Sequence, residues 1–362
     1  MQPSDDPHQV SDGIADATAT TSTGTRRNLA RTIPWIVTVG ILIWILKTTD
    51  LPAMWEATRS ANLLLFFGAM FGLFSVLWVV DSIAILWIYR RYHAPAMTLR
   101  HVLPIRGTTY VVGILNYAAA SAAMAFYFKR RWSIGVVEGG ASLLLLLLVD
   151  LGLAILTVAA GAALLPAGFR VAAWTLGAAF AVGAIAHLIF WRAPWSWGPL
   201  ERLRNIPQLR GFREARLIDY AIAGVLRVPV TALYVGMHYF TLMAFNIRVP
   251  LENMLVYVPV QMVLAVIPIS VSGLGPGQAA QRVLYTDFAA STYCQHVPAS
   301  EWSNPAWCDH ALAAVDAYGL ALFLGFLLPR ILIGVLSLRA ASRELAAEAP
   351  PTEPDASVTP GA

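Results

Sequence analysis

Ile134-Gly135-Val136-Val137-Glu138-Gly139-Gly140-Ala141-Ser142 leads into six consecutive leucines, Leu143 to Leu148, and then through Val149-Asp150-Leu151-Gly152 to Leu165. A run of this kind is longer than the roughly 20 helical residues that cross a hydrocarbon core about 30 Å thick. It reads as a membrane-spanning helix that carries one carboxylate, Asp150, deep inside it. The rest of the chain agrees: 57% of its 362 residues are hydrophobic and only 13% charged, with a mean hydropathy of +0.62. Ordinary soluble chains carry about 25% charged residues, so this composition belongs to lipid. Twelve Trp and 22 Pro fit the same environment, because indoles favour bilayer interfaces and spanning helices tolerate proline.

Outward from that run, five more stretches read as spans: Ile33 to Leu46, Leu63 to Tyr89, Val171 to Trp191, Leu217 to Phe245 and Ala311 to Leu338. Residues 1–30 and 341–362 are polar, read as disordered cytoplasmic tails, and leave 31–340 as a polytopic membrane domain. Arg26-Arg27 before the first stretch superficially resembles a twin-arginine signal, but many apolar segments follow, so a first anchor is the plainer reading. Basic residues orient the spans. Arg26, Arg27 and Arg31, then Arg90, Arg91 and Arg100, then Lys129 to Arg131, and the arginines between Arg192 and Arg216 all belong on the cytoplasmic side. The loop Ser291 to His310, which holds Glu301 and Asp309 without Lys or Arg, faces outward. The expected location is the inner (plasma) membrane, multi-pass, with both termini cytoplasmic. A net charge of only +4, distributed this way, suits orientation rather than nucleic-acid binding.

Two apolar stretches do not fit a simple count. Gly107 to Phe128 has basic flanks at both ends yet is about half the length that two crossings need, which predicts a re-entrant hairpin turning near Asn116. One ordinary span is the alternative, and it would place an arginine cluster outside. Met254 to Phe288 contains Ile267-Pro268-Ile269-Ser270-Val271-Ser272-Gly273-Leu274-Gly275-Pro276-Gly277-Gln278, two prolines and three glycines that no continuous helix accepts without penalty. Its ends both lie outside, so it reads as a second hairpin or as two short spans. The fold class expected is therefore all-α, with six spanning helices plus two re-entrant or broken hairpins, about eight transmembrane segments in all. The order span, hairpin, span occurs twice with opposite orientation, over about 63–165 and 217–338. Inverted repeats with broken helices are recurrent in transporters.

The Pro-x-Ser-x-x-Gly-x-Gly core within Ile267 to Gln281 resembles the signature of the lysylphosphatidylglycerol synthase transmembrane region, a flippase-like domain family also grouped as UPF0104. Weaker resemblance extends over Leu63 to Leu338. The resemblance implies an eight-helix lipid-handling domain, in some members moving aminoacylated phosphatidylglycerol between leaflets. The chain departs from the pattern in three places: Tyr117 to Phe126 lacks the family's Pro and Gly-acid pair, Gln278 stands where Glu is usual, and the arginine near Asp150 is missing. A cytoplasmic aminoacyl-transferase domain is not expected beyond Leu338, so the chain is not expected to be an enzyme.

Ionisable residues inside apolar stretches each cost roughly 2.5 to 3.5 kcal/mol at a helix centre, so each needs a reason. Asp81, Asp150, His187, Arg227, His238 and Asp316 qualify. Arg227 paired with Asp150 or Asp316 would offset both burials. The plainer readings are an interhelical polar contact for Asp81, interface positions for Glu138 and Asp219, and snorkelling for Arg330. Gln278, Gln281 and Arg282 follow the Gly/Pro break at a helix start that suits an anionic phosphate. Arg282 alternatively neutralises Asp287. The candidate substrate-binding set is thus Asn116, Asp150, Arg227, Ser270, Gly273, Gly275, Gln278, Gln281 and Arg282, with the glycines serving backbone geometry.

Cys294 and Cys308, the only cysteines, lie in the outer loop, where a disulfide would close about 15 residues. Cys294-Gln295-His296 and Cys308-Asp309-His310 also offer four zinc-competent ligands at an uncommon spacing, and free thiols are the third reading. There is no phosphate loop, no His-Glu-x-x-His and no Gly-x-Ser-x-Gly, so no cofactor or catalytic group is called for. Translocation of a phospholipid or lipid-linked anion is the function expected, with membrane lipids as partners. The alternative is a non-transporting partner of a separate membrane enzyme, and a homo-oligomer fits either.

Overall fold

A computed structural model describes residues 51–115, 117–192, 198–206, 209–266, 275–294 and 309–346, besides Ile43 and Lys47. The first predicted span, Ile33 to Leu46, therefore falls almost wholly outside the described residues, as do most of both tails. The described chain is helical: α1 (Leu51–Ser60), α2 (Leu63–Tyr92), α3 (Leu99–Leu115), α4 (Tyr117–Trp132), α5 (Val136–Ala160), α6 (Ala167–Arg192), α7 (Pro199–Arg204), α8 (Arg210–Glu214), α9 (Leu217–Ala244), α10 (Leu251–Val266), α11 (Pro276–Tyr293) and α12 (Asp309–Ala346). A single 3₁₀ turn, Ala162–Leu164, follows α5. Among the described residues, α2, α5, α6, α9 and α12 are long and apolar enough to cross a membrane. The protein is an all-α membrane protein.

Local chemistry sets the helix ends. Asn62 caps α2, its side-chain oxygen accepting the Leu65 N–H at 3.0 Å, and Arg90 and Arg91 close the helix where its dipole favours cations. Asp219 accepts the Arg216 N–H at 2.8 Å to start α9. Gly275 begins α11 at φ +96°, a backbone conformation that costs glycine little, and Pro276 supplies the preset first helical turn.

Helices α2 and α9 run antiparallel along their whole length. The Asn62 N–H donates to the Ala244 carbonyl at one end, and Arg91 pairs with Asp219 at the other. One end of the molecule thus gathers Arg90, Arg91, Lys129, Arg130 and Arg131 with the start of α9. The opposite end gathers the turn after α5, the α9–α10 connection and the start of α12. The Tyr257 hydroxyl on the Leu164 carbonyl (3.1 Å) and the Tyr293 hydroxyl on the Phe245 carbonyl (2.8 Å) tie that second end together.

Both anomalous segments fold as antiparallel helical hairpins. His101, at the start of α3, meets Trp132, at the end of α4, with ring centroids 5.1 Å apart, and Gly113 faces Ala120 near the turn. This first hairpin opens at the basic end, where His101 and Arg131 both reach Glu344 of α12. It begins at Leu99 rather than Gly107, so Arg106, read from sequence as a flank, sits halfway along α3. In the second hairpin Tyr257 packs on Phe288 and Gln261 bonds to Tyr285 and Gln281, so α10 and α11 lie side by side in opposite directions. It opens at the other end. Helix α12 lies against both, with Gly319 beside Gln278 and Gln281, and Gly334 beside Val111. It continues to Ala346, beyond the predicted limit at Leu338 and into the stretch read from sequence as a tail.

Apolar packing divides into two clusters stacked along the helices. The first takes Phe66, Phe74 and Leu77 of α2, Val158 of α5 and Val230 of α9; the second takes Ile85 and Tyr89 of α2, Leu146 of α5, Ala223 of α9 and Ile105 of α3. Asp81, Asp150, Arg227 and Arg106 occupy the layer between them.

Candidate functional site

On α2, α5 and α9 a charged residue interrupts the apolar sequence at the same depth, and these three residues find one another. Arg227 donates from Nε and Nη2 to the two carboxylate oxygens of Asp150, both at 2.5 Å, and from Nη1 to Asp81. Asp81 accepts in addition from Arg106 Nε at 2.5 Å and from the Tyr110 hydroxyl at 3.2 Å. The Arg106 guanidinium also lies 4.6 Å from the centre of the Tyr110 ring. Two carboxylates and two guanidiniums make a neutral quartet, with Asp81 and Arg227 among the buried residues.

Energetics explain why the four come together. Separately, four charges at membrane depth carry on the order of 10 kcal/mol of insertion cost; paired and hydrogen-bonded, each cancels its neighbour. The bidentate fork of Arg227 on Asp150 is the geometry in which guanidinium and carboxylate bind most strongly. Arg106 and Tyr110 lie one turn apart on one face of α3 and share the Asp81 carboxylate of α2, and the Trp78 indole N–H of α2 donates to the Leu103 carbonyl of α3 at 3.0 Å beside them.

A second polar group sits toward the opposite end. Arg282 of α11 forks onto Asp316 of α12 with both contacts at 2.7 Å. Nearby, the Gln281 amide donates to the Gln261 carbonyl at 2.9 Å and Gln261 donates to the Tyr285 hydroxyl at 2.7 Å. Gln278 is buried beside them, and Gly319 leaves room for both glutamines.

The residues singled out from sequence therefore separate into two places. Arg227 and Asp150 are joined, with Asp81 and Arg106 added; Gln278, Gln281 and Arg282 share the second hairpin with Asp316, and Gly275 starts its α11. Asp316 partners Arg282 rather than Arg227, and Arg282 pairs with Asp316 rather than Asp287. Asn116, Ser270, Gly273 and Cys308 lie outside the described residues. Cys294 is disulfide-bonded. His187 bonds to the Tyr220 hydroxyl and His238 to the Tyr318 hydroxyl, each at 2.9 Å, as interhelical contacts.

Arg106 was hidden from sequence reading because it sits in a stretch rich in basic residues. The one signal was its spacing: Arg106 and Tyr110, four residues apart, lie on one face of the helix. Comparison with protein-family models, characterised proteins and solved structures returns no match.

Proposed function

We propose that the chain is a flippase-like inner-membrane protein that moves the headgroup of an anionic phospholipid or lipid-linked substrate between leaflets. The observation that carries this reading is the pair of antiparallel hairpins, which open at opposite ends of the molecule and lie on the same helix, α12. Helices of 17 and 16 residues in the first hairpin are about 25 Å long, short of the roughly 30 Å core, which suits re-entry rather than crossing. With α2 and α5 around the first hairpin and α9 and α12 around the second, the arrangement supports an inverted repeat of six spans and two hairpins. The positive end is the cytoplasmic one in this reading, and both tails belong there. The resemblance of Pro268 to Gln278 to the flippase-like family points the same way.

In this mechanism the quartet is a latch. Arg106 attaches the first hairpin to Asp81, and Arg227 bridges Asp81 to Asp150, so a swing of the hairpin exchanges partners among four charges without exposing any alone. Arg227 and Arg282 hold the carrier together in the conformation described, and a change of partners would free them for a substrate.

The experiment is reconstitution of the full chain into vesicles containing a tail-labelled fluorescent phosphatidylglycerol, with dithionite quenching of the outer leaflet. Quenching beyond the outer-leaflet fraction, lost in Arg227→Gln, is the expected result. Protein-containing vesicles that quench like empty ones would overturn the translocator reading and favour a partner of a separate membrane enzyme.

A further inference from the structure

Arg330 stands in the middle of α12, nine residues from Arg339, the next basic residue toward the helix end, and so about 13 Å from it along the axis. That distance is too great for a side chain to reach the interface by snorkelling. Its neighbours show which way it faces. Pro329, Ile333, Gly334 and Ser337 are buried, whereas Leu328, Ile331, Leu332 and Val335 are exposed. Arg330 belongs to the inward stripe, one turn from Phe326, and is itself half-buried.

Among the described residues the other arginines at this depth are neutralised: Arg106 and Arg227 by Asp81 and Asp150, and Arg282 by Asp316. Arg330 has no carboxylate partner there. Its Nε is buried without a hydrogen-bond acceptor, and its guanidinium lies 5.7 Å from the centre of the Phe326 ring. The surroundings form an aromatic wall. Phe326 packs on Phe74, Tyr234 and His238, and Phe74 in turn packs on Tyr110, whose hydroxyl bonds to Asp81. A half-buried guanidinium whose inner Nε–H lacks an acceptor still has donors to satisfy, and its planar fork fits phosphate oxygens.

We infer that Arg330 is an anion-binding residue that holds a phosphate-class oxyanion between the two hairpins, on the aromatic wall of Phe326 and Tyr234. The inference rests on the translocator reading for its biological role, though the site stands on its own geometry. Gly334 beside Val111 of the first hairpin and Gly319 beside Gln278 of the second place Arg330 between the points where the hairpins touch α12. The chain Phe326, Phe74, Tyr110 to Asp81 links the site to the latch, so an occupied Arg330 is one aromatic relay away from the group that attaches the first hairpin.

The test uses the purified full chain in detergent, titrated with phosphatidylglycerol, with phosphatidylcholine as the zwitterionic control, and read by native mass spectrometry. Arg330→Gln is expected to weaken phosphatidylglycerol retention roughly tenfold, the effect of one charge-assisted contact. Arg330→Lys should fall between, and Arg339→Gln, at the exposed end of α12, should bind like the unaltered chain. Displacement by millimolar inorganic phosphate would identify the ligand as the free anion; its failure to displace would identify the lipid headgroup, and either keeps the site. Equal retention by Arg330→Gln and the unaltered chain, or no retention of either ligand by the unaltered chain, would overturn it. Should Arg330→Gln not fold, a photoactivatable phosphatidylglycerol on the unaltered chain decides: crosslinks around Phe326 to Gly334 support the site, and crosslinks confined elsewhere overturn it. Failure of the translocator reading is separately visible. Lipid bound at Arg330 with no leaflet exchange retains the site and removes the transport, whereas exchange that persists in Arg330→Gln while lipid retention falls retains both and overturns only the role of the site in transport.

Discussion

Asp81→Asn would leave Arg106 and Arg227 with Asp150 as the one remaining carboxylate of the quartet. Removing one partner from a buried ion pair typically costs about 3 to 5 kcal/mol, because the remaining charge keeps its burial cost. A marked fall in the thermal midpoint of the purified chain is therefore expected. The double variant Asp81→Asn, Arg106→Gln restores neutrality and leaves the Arg227–Asp150 fork, so it should unfold at a higher temperature than Asp81→Asn alone. Additive losses in the two variants would show that the four charges do not act as a unit. That Arg227 needed an acidic partner was legible in the sequence, because a charge alone inside a span demands a counter-charge, but the choice of Asp150 over Asp316 came from the structure. An interhelical contact for Asp81 was legible too, but its joining of Arg106 to Arg227 was not, since sequence spacing within one helix carries no information about which faces of α2 and α3 meet.

At the scale of the element, cysteines placed at Thr98 and Ser133, in a background lacking Cys294 and Cys308, flank the first hairpin, and cysteines at Glu252 and Ser291 flank the second. The first pair should react with an impermeant thiol reagent from the cytoplasmic side only, the second from the outside only. A pair that splits across the membrane would make its segment a span. The packing of the first hairpin on α12 makes a second demand. A side chain at Gly334 would meet Val111 and stand 3.3 Å from the Gly107 carbonyl oxygen. Gly334→Val should therefore lower stability by about 1 to 3 kcal/mol, and adding Val111→Ala should recover part of the loss, as measured by thermal unfolding. Both hairpins announced themselves in sequence for different reasons: the first by a length too short for two crossings between basic flanks, the second by its prolines and glycines. The true start of the first at Leu99 was obscured because Thr98 to Arg106 is polar enough to look like a loop, while Arg106 is neutralised by Asp81 of α2.

For the whole molecule, the disulfide at Cys294 fastens the end opposite the basic one. A disulfide is typically worth about 2 to 4 kcal/mol, so Cys294→Ser, or reduction of the intact chain, should lower the thermal midpoint by several degrees. An unchanged midpoint would show that this end is held by packing alone. The five long apolar helices were the most legible part of the described fold, since the length of an apolar run needs no tertiary information. How they stack into two apolar clusters with a charged layer between was not legible, because it depends on the relative depth of residues on separate helices. That layer has an electrical consequence. A membrane potential does about 2.3 kcal/mol of work on each elementary charge per 100 mV it traverses. Asp81, Asp150, Arg106 and Arg227 sum to zero, so a rearrangement that trades partners within the layer displaces little net charge through the field. The cell's electrical gradient would then exert almost no pull on that layer, and any voltage dependence of exchange measured under an imposed potassium diffusion potential would have to come from Arg330 or from the cargo.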